Sequence, residues 1–201
     1  MRLTIFDYGA GNLHSLIKAV AAPGTTVTIE SDPRQALNTD LLLLPGVGAF
    51  PQAASSFGSA RNEIRSALLD GLPAIGICLG MQLLFDGSEE GAGDGIGLIP
   101  GTVTALRAAR LPHIGWNSLE GFGEPLTGTL RAKDVYFANS YAARPADTRC
   151  VTAWTRHEDD LFAAVVRSHA TIGIQFHPEK SSFDGVKFLR AVIADLLGTP
   201  S

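Results

Sequence analysis

The chain has 201 residues, 45% of them apolar and 18% charged, with a formal charge of −4. That length suits one sizeable α/β domain, read as spanning residues 1–201, and leaves too little chain for two. The mild acidity without a basic run excludes the electrostatic footprint of a nucleic-acid binder, and no apolar stretch reaches the roughly 18 residues of a membrane span.

Two cysteines, Cys78 and Cys150, are too few for a disulfide framework and fit a reducing, cytoplasmic setting. The N-terminal apolar run, residues 3–6, is broken by Asp7, too early for a signal peptide. That run reads as the first buried strand. The turn at residues 9–12 follows, with Asn12 placed to cap a helix carrying Leu13, Leu16, Ile17 and Val20 at helical spacing. Residues 26–29 and 41–44 read as further strands, and the glycine loop PGVGAF (45–50) comes directly after the second. Ile64, Ala67 and Leu68 mark a helix ending near Asp70 and Gly71, and residues 74–77 form the next strand. A helix is expected over Met81–Phe85.

Apolar runs alternating with helices imply a parallel sheet with right-handed crossovers. The second half differs. Short strands at 103–106, 135–138, 150–154, 161–166 and 171–176, with turns between them, suggest a mixed or antiparallel extension. Val186, Leu189, Ile193 and Leu196 share a face of a last helix, stopped by Gly198 and Pro200.

The stretch Gly76-Ile77-Cys78-Leu79-Gly80 has the pattern of a nucleophile elbow, with cysteine at a strand-to-helix turn. A helix N-terminus favours thiolate, and the Leu79 N–H points into the same space, where it could serve an oxyanion. A buried free cysteine is otherwise a small hydrophobe; the flanking glycines favour the nucleophile. Five histidines compete as its base. His14 reads as a helix surface residue, His157 as part of a solvated turn, His169 as a turn between strands, and His113 as a structural or interface residue. His177 follows the apolar run 171–176 and so lies at a strand's carboxyl end, where open α/β sheets bind ligands. Glu179, two residues on, could hold the other imidazole nitrogen. This assigns Cys78 as nucleophile, His177 as acid/base and Glu179 as orienter. The amides around Val47 and Gly48 in the glycine loop are the candidates for a second oxyanion donor, against the plainer reading of a strand-to-helix turn.

Taken together, the elbow GICLGMQ and the late FHPEK resemble the class I glutamine amidotransferases. DYGAGNLHSL (7–16), PGVGAF (45–50), GIGLIPG (95–101), IGWN (114–117) and FHPEKS (176–181) look most like the glutaminase subunits of imidazole glycerol phosphate synthase. The resemblance covers nearly the whole chain. It implies a flavodoxin-like, mostly parallel sheet flanked by helices, and hydrolysis of glutamine to glutamate and ammonia. The ammonia would pass to a separate (β/α)8 cyclase subunit in histidine biosynthesis. No metal or organic cofactor is implied.

By the same resemblance, Gly46, Val47 and Gly48 belong to the oxyanion strand, and Gln82 helps hold glutamine. Glu90 meets the substrate's α-amino group, with neighbouring Glu89 as the alternative register. Ser140 and Tyr141 offer backbone contacts, while Asn12, Trp116 and Lys180 lie at the subunit interface. One position departs from the family's pattern: Asn139 stands where histidine is common, so no charged group can act there. Rival readings are the glutaminase of another class I amidotransferase, a free-standing γ-glutamyl cysteine hydrolase, and a catalytically silent interaction module.

Overall fold

A computed structural model describes residues 1–9, 13–121 and 134–198. In chain order the elements are β1 (Arg2–Phe6), α1 (His14–Val20), β2 (Thr26–Glu30), α2 (Pro33–Ala36), β3 (Leu41–Leu44), α3 (Phe50–Ser56), α4 (Arg61–Leu69), β4 (Ala74–Ile77) and α5 (Leu79–Gln82). There follow β5 (Gly87–Ser88), β6 (Gly91–Asp94), β7 (Gly101–Ala105), β8 (His113–Glu120), β9 (Asp134–Asn139), β10 (Tyr141–Pro145), β11 (Val151–His157), β12 (Asp160–Ser168), β13 (Thr171–Ile174) and α6 (Ser182–Leu197).

The main sheet runs β2-β1-β3-β4-β13-β12-β11-β8-β9. Its first five strands are parallel, and pairing turns antiparallel from β13 onward. This is the mixed α/β arrangement expected from the sequence. A second sheet, β10-β7-β5-β6, lies beside it. The central strands β3, β4 and β13 are buried at every position because both faces are covered. Alternation along β3 sends Leu41 and Leu43 into one core with Leu16, Leu189 and Val192. Leu42 and Leu44 enter the opposite core with Phe50, Ile64, Met81 and Leu84.

Several boundaries differ from expectation. The helix after the elbow is a single α turn: Leu84 N and Phe85 N donate only three residues back, to Met81 O and Gln82 O, and the carbonyls of Leu83, Leu84 and Phe85 accept from Ile96, Ile99 and Gly97, so it goes no further. β13 ends at Ile174 and not at Phe176. Its parallel partner β4 turns away at Cys78, and the Gln175 and His177 amides donate sideways to Ala164 O and Tyr136 O. His157 is not in a solvated turn: it closes β11, and its ring stacks on His113 at 4.0 Å. β8, the short α2, α3 and the β5–β6 hairpin add elements that the sequence pattern did not reveal. The expected cap Asn12 and the expected stop Pro200 lie outside the described residues; α6 does end at Gly198, in the left-handed conformation at φ +63°.

Candidate active site

Two adjacent parallel strands, β4 and β13, deliver the chemistry at their carboxyl ends. Cys78 immediately follows β4 with φ +49° and ψ −105°, a conformation that costs a non-glycine residue on the order of 1–3 kcal/mol. The surrounding contacts hold it there. Its N–H donates to Ile174 O at 2.6 Å, and its carbonyl accepts from Gln82 N at 3.1 Å. The elbow glycines are sterically required. A Cβ on Gly80 would lie 2.0 Å from Leu44 O, and one on Gly76 would lie 2.5 Å from Gly80 O. The turn closes only because neither side chain exists.

His177 follows β13, and Glu179 sits one turn of 3₁₀-helix further on. The His177 Nδ1 to Glu179 Oε1 distance is 2.8 Å; His177 is buried and Glu179 partly so. Burial by itself lowers the basicity of His177. Pairing with Cys78 and with Glu179 outweighs it, so the imidazole is pushed up to about 9. Its protonated form is therefore favoured beside the thiol. Gly46 separates the two side chains: a Cβ there would stand 3.0 Å from Cys78 Cβ and 3.1 Å from His177 Cε1.

A cavity of about 320 Å³ opens over Cys78. It is lined by the glycine loop (Gly46, Val47, Gly48), by Leu79, Gln82 and Glu90, by residues 138–141, and by His177 and Lys180. Leu79 is the first residue of α5, where a backbone N–H has no intrahelical acceptor. Gly48 adopts φ +112°, open to glycine and strained for other residues. The register between the two acids is plain: Glu90 lines the cavity, its Oε2 accepting from Phe50 N at 2.9 Å, while Glu89 turns away to accept from Ala105 N at 3.1 Å.

A model of the class-I glutamine amidotransferase family matches residues 4–193. The chain is 43% identical over 194 residues to imidazole glycerol phosphate synthase subunit HisH of Thermus thermophilus, covering 94% of this chain and 95% of that one. It is 38% identical over 196 residues to the protein of the same name from Microcystis aeruginosa, covering 93% and 92%. The chain belongs to the class-I glutamine amidotransferase family.

The fold agrees. A crystal structure of a glutamine amidotransferase superposes with a TM-score of 0.75 at 17% identity, covering 98% of this chain and 99% of the other. A structure of PurLQS from Thermotoga maritima gives 0.71 at 19% identity, covering 97% and 98%.

In this amidotransferase chain, the residues anticipated for catalysis and substrate contact all line the one cavity except Glu179, which stands behind His177. Of those anticipated at an interface, Lys180 borders the cavity, Trp116 is half-exposed on β8 with its ring edge-on to Tyr136 at 6.2 Å, and Asn12 lies outside the described residues. The Tyr141 carbonyl accepts from both Gln82 Nε2 and Asn139 Nδ2, each at 3.0 Å, which uses both its lone pairs. A backbone contact from Tyr141 to a ligand therefore falls to its N–H.

Two residues were missed by the sequence reading. Gln175 is completely buried beneath the thiol, its Nε2 3.6 Å from Cys78 Sγ. Within an apolar strand run a single glutamine gave no signal beyond its polarity. Tyr8, in the motif at 7–16, is also buried and its hydroxyl donates to Pro45 O, at the start of the glycine loop.

Proposed function

We propose that this chain hydrolyses glutamine to glutamate and ammonia through Cys78, His177 and Glu179. The ammonia is handed to a separate (β/α)8 cyclase subunit that makes imidazole glycerol phosphate in histidine biosynthesis. The observation that carries the reading is a strained cysteine elbow just after β4 beside a largely buried His–Glu pair just beyond β13, in a chain whose curated relatives are subunits of imidazole glycerol phosphate synthase.

Cys78 thiolate attacks the carboxamide carbon of glutamine, forming the C–S bond as the carbonyl oxygen becomes an oxyanion. The N–H groups of Leu79 and of Val47 or Gly48 receive that charge. His177 protonates the departing ammonia, leaving a thioester on Cys78. Water then attacks the thioester with His177 taking its proton, glutamate leaves, and the thiolate is regenerated. Glu179 holds the imidazole in orientation and tautomer. Gly46, Gln82, Glu90, Ser140 and Tyr141 bind the substrate, with Glu90 facing its ammonium group.

The cyclase would dock on the rim of the cavity at Lys180 and on the outer face of β8 at Trp116, with Asn12 as the third contact that the family resemblance implies. Ile114, Trp116 and Phe183 are large apolar side chains left exposed by the fold. Tyr136, which packs against Trp116, is tied to the His177 segment by its N–H to Ser181 Oγ at 2.9 Å. The cytoplasm is the proposed place of work, where Cys78 and Cys150 would stay reduced; among the described residues no helix is long and apolar enough to cross a membrane.

Hydrolysis without an acceptor wastes glutamine, so activity should depend on the partner. The glycine loop offers the means. Gly46 and Gly48 flank Val47, and a peptide between glycines can turn its N–H toward or away from the oxyanion. One donor is worth roughly 10²–10³ in rate. Glutamate release measured with the chain alone, with cyclase, and with cyclase plus its nucleotide ligand should rise by at least about 10² across the series. Equal rates in all three would reject partner control and favour a free-standing γ-glutamyl hydrolase.

A further inference from the structure

Gln175 is a polar side chain where packing alone would place an apolar one. It is fully buried between β13 and the elbow, and leaving its amide unsatisfied there would be costly. It escapes that cost through a chain of hydrogen bonds whose direction is fixed at one end. Tyr141 O can only accept. Gln82 therefore presents its Nε2 to that carbonyl, at 3.0 Å. The same Nε2 lies 3.4 Å from the Gln175 amide, so the Gln175 atom facing it must be the oxygen. The amide nitrogen of Gln175 is then left to face Cys78 Sγ, at 3.6 Å, within the longer reach of the large sulfur atom. Nothing in this assignment depends on the state of the thiol.

The neighbours of Sγ thus pull in opposite directions. Ala138 O, 4.0 Å away, can only accept, and so favours the protonated thiol. The Gln175 N–H can only donate, and so favours the thiolate. His177 approaches across Gly46. It is the acid/base group, and its proton leaves during the cycle, whereas the Gln175 N–H cannot be given up at any step.

We propose that Gln175 is a positioning residue for the nucleophile. It donates to the Cys78 thiolate from the protein interior, keeps it ionised and aimed at the cavity while His177 gives and takes its proton, and couples it through Gln82 to the wall where substrate binds. This rests on the reading of Cys78 as the nucleophile, yet it concerns the thiol itself and is measurable without glutamine.

The test uses the full chain carrying Cys150→Ser, so that Cys78 is its only thiol, with and without Gln175→Met. Methionine fills similar space and donates nothing. The rate of alkylation by iodoacetamide is followed against pH. The Gln175→Met protein should alkylate with a midpoint roughly one pH unit higher, the tenfold change expected from losing one charge-assisted hydrogen bond. With cyclase present, kcat for glutamine should fall while KM stays nearly constant. An unchanged midpoint in a folded Gln175→Met protein overturns the proposal. Should that variant not fold, the parent chain serves. With ¹⁵N-labelled glutamine side chains, the Gln175 amide resonance should titrate with the Cys78 midpoint and shift on alkylation; a resonance indifferent to both overturns it. Glutaminase activity surviving in Cys78→Ala would remove the functional reading and leave the alkylation result standing, so the two failures are distinguishable.

Discussion

His177 Nδ1 and Glu179 Oε1 lie 2.8 Å apart in a pair largely shielded from solvent, two residues from each other in sequence. A 3₁₀ turn beginning at Pro178 bends the chain back so that the carboxylate reaches the ring nitrogen remote from the thiol. The pair combines orientation with charge: against the effect of burial, Cys78 and then the carboxylate raise the imidazole, which stays protonated near the sulfur.

This pairing sets an alkaline limit. Ionised His177 lies above its ordinary 6.5, at about 9, so its pairing stabilises the folded state fully below 6.5 and loses that contribution as pH rises through 9. On the proposed mechanism, the same deprotonation removes the acid for the leaving ammonia. The kcat/KM for glutamine should fall with a midpoint near 9, and Glu179→Gln should move that limb to lower pH while costing less turnover than His177→Asn. A pH–rate profile of both variants checks this; equal losses at His157 or His169 with His177 tolerant would reassign the base.

Cys78→Ala should abolish glutamine hydrolysis, since loss of a covalent nucleophile costs on the order of 10⁶ in turnover. On the proposed division of labour, the complex with cyclase should still form product from added ammonia, because ring closure would belong to the other chain. Paired assays with glutamine and with ammonium salts separate the two. Substantial glutamine-dependent activity in the variant would exclude Cys78 as nucleophile.

Glu90→Ala should raise KM for glutamine more than it lowers kcat, because a lost charge-assisted contact to the substrate ammonium is worth roughly 1.5–3 kcal/mol. Stability should drop as well, by about 1 kcal/mol, since Glu90 Oε2 accepts from Phe50 N at the start of α3. Glu89→Ala, which touches β7 instead, should leave KM unchanged. Steady-state kinetics and urea unfolding of the two single variants distinguish the positions.

His113 carries a separate pH dependence. Burial, and then the neighbouring His157, hold it down at about 4, so the unfolded chain binds more protons between pH 6.5 and 4. Stability should therefore fall as pH falls through that window, by on the order of 2–3 kcal/mol by pH 4. His113→Phe keeps a ring against Phe137, which stacks at 5.1 Å, and should flatten this part of the curve. Unfolding free energies at pH 7, 5.5 and 4 measure it, and parallel curves for the two proteins would remove His113 from the account.

Local sequence was enough wherever a residue's surroundings are dictated by its neighbours along the chain. The strand runs at 41–44 and 74–77 are apolar because both faces of a parallel strand are covered, and the elbow is legible because only glycine fits at 76 and 80. His177 stood out from four other histidines by its place after such a run. Other features depend on distant chain. The turn after Cys78 stops early because residues 96–99 take its carbonyls. His157 leaves solvent only because β8 brings His113 against it. Gln175, one polar residue in an apolar stretch, acquires its meaning from Gln82 and Tyr141, 93 and 34 positions away. By itself the sequence determined which residue types could act and where the buried strands β3 and β4 would run, because steric demand and burial period are local. Tertiary structure alone decided which of those ends meet and which buried polar atoms find partners, because hydrogen bonds between residues far apart in the chain exist only once the sheet has assembled.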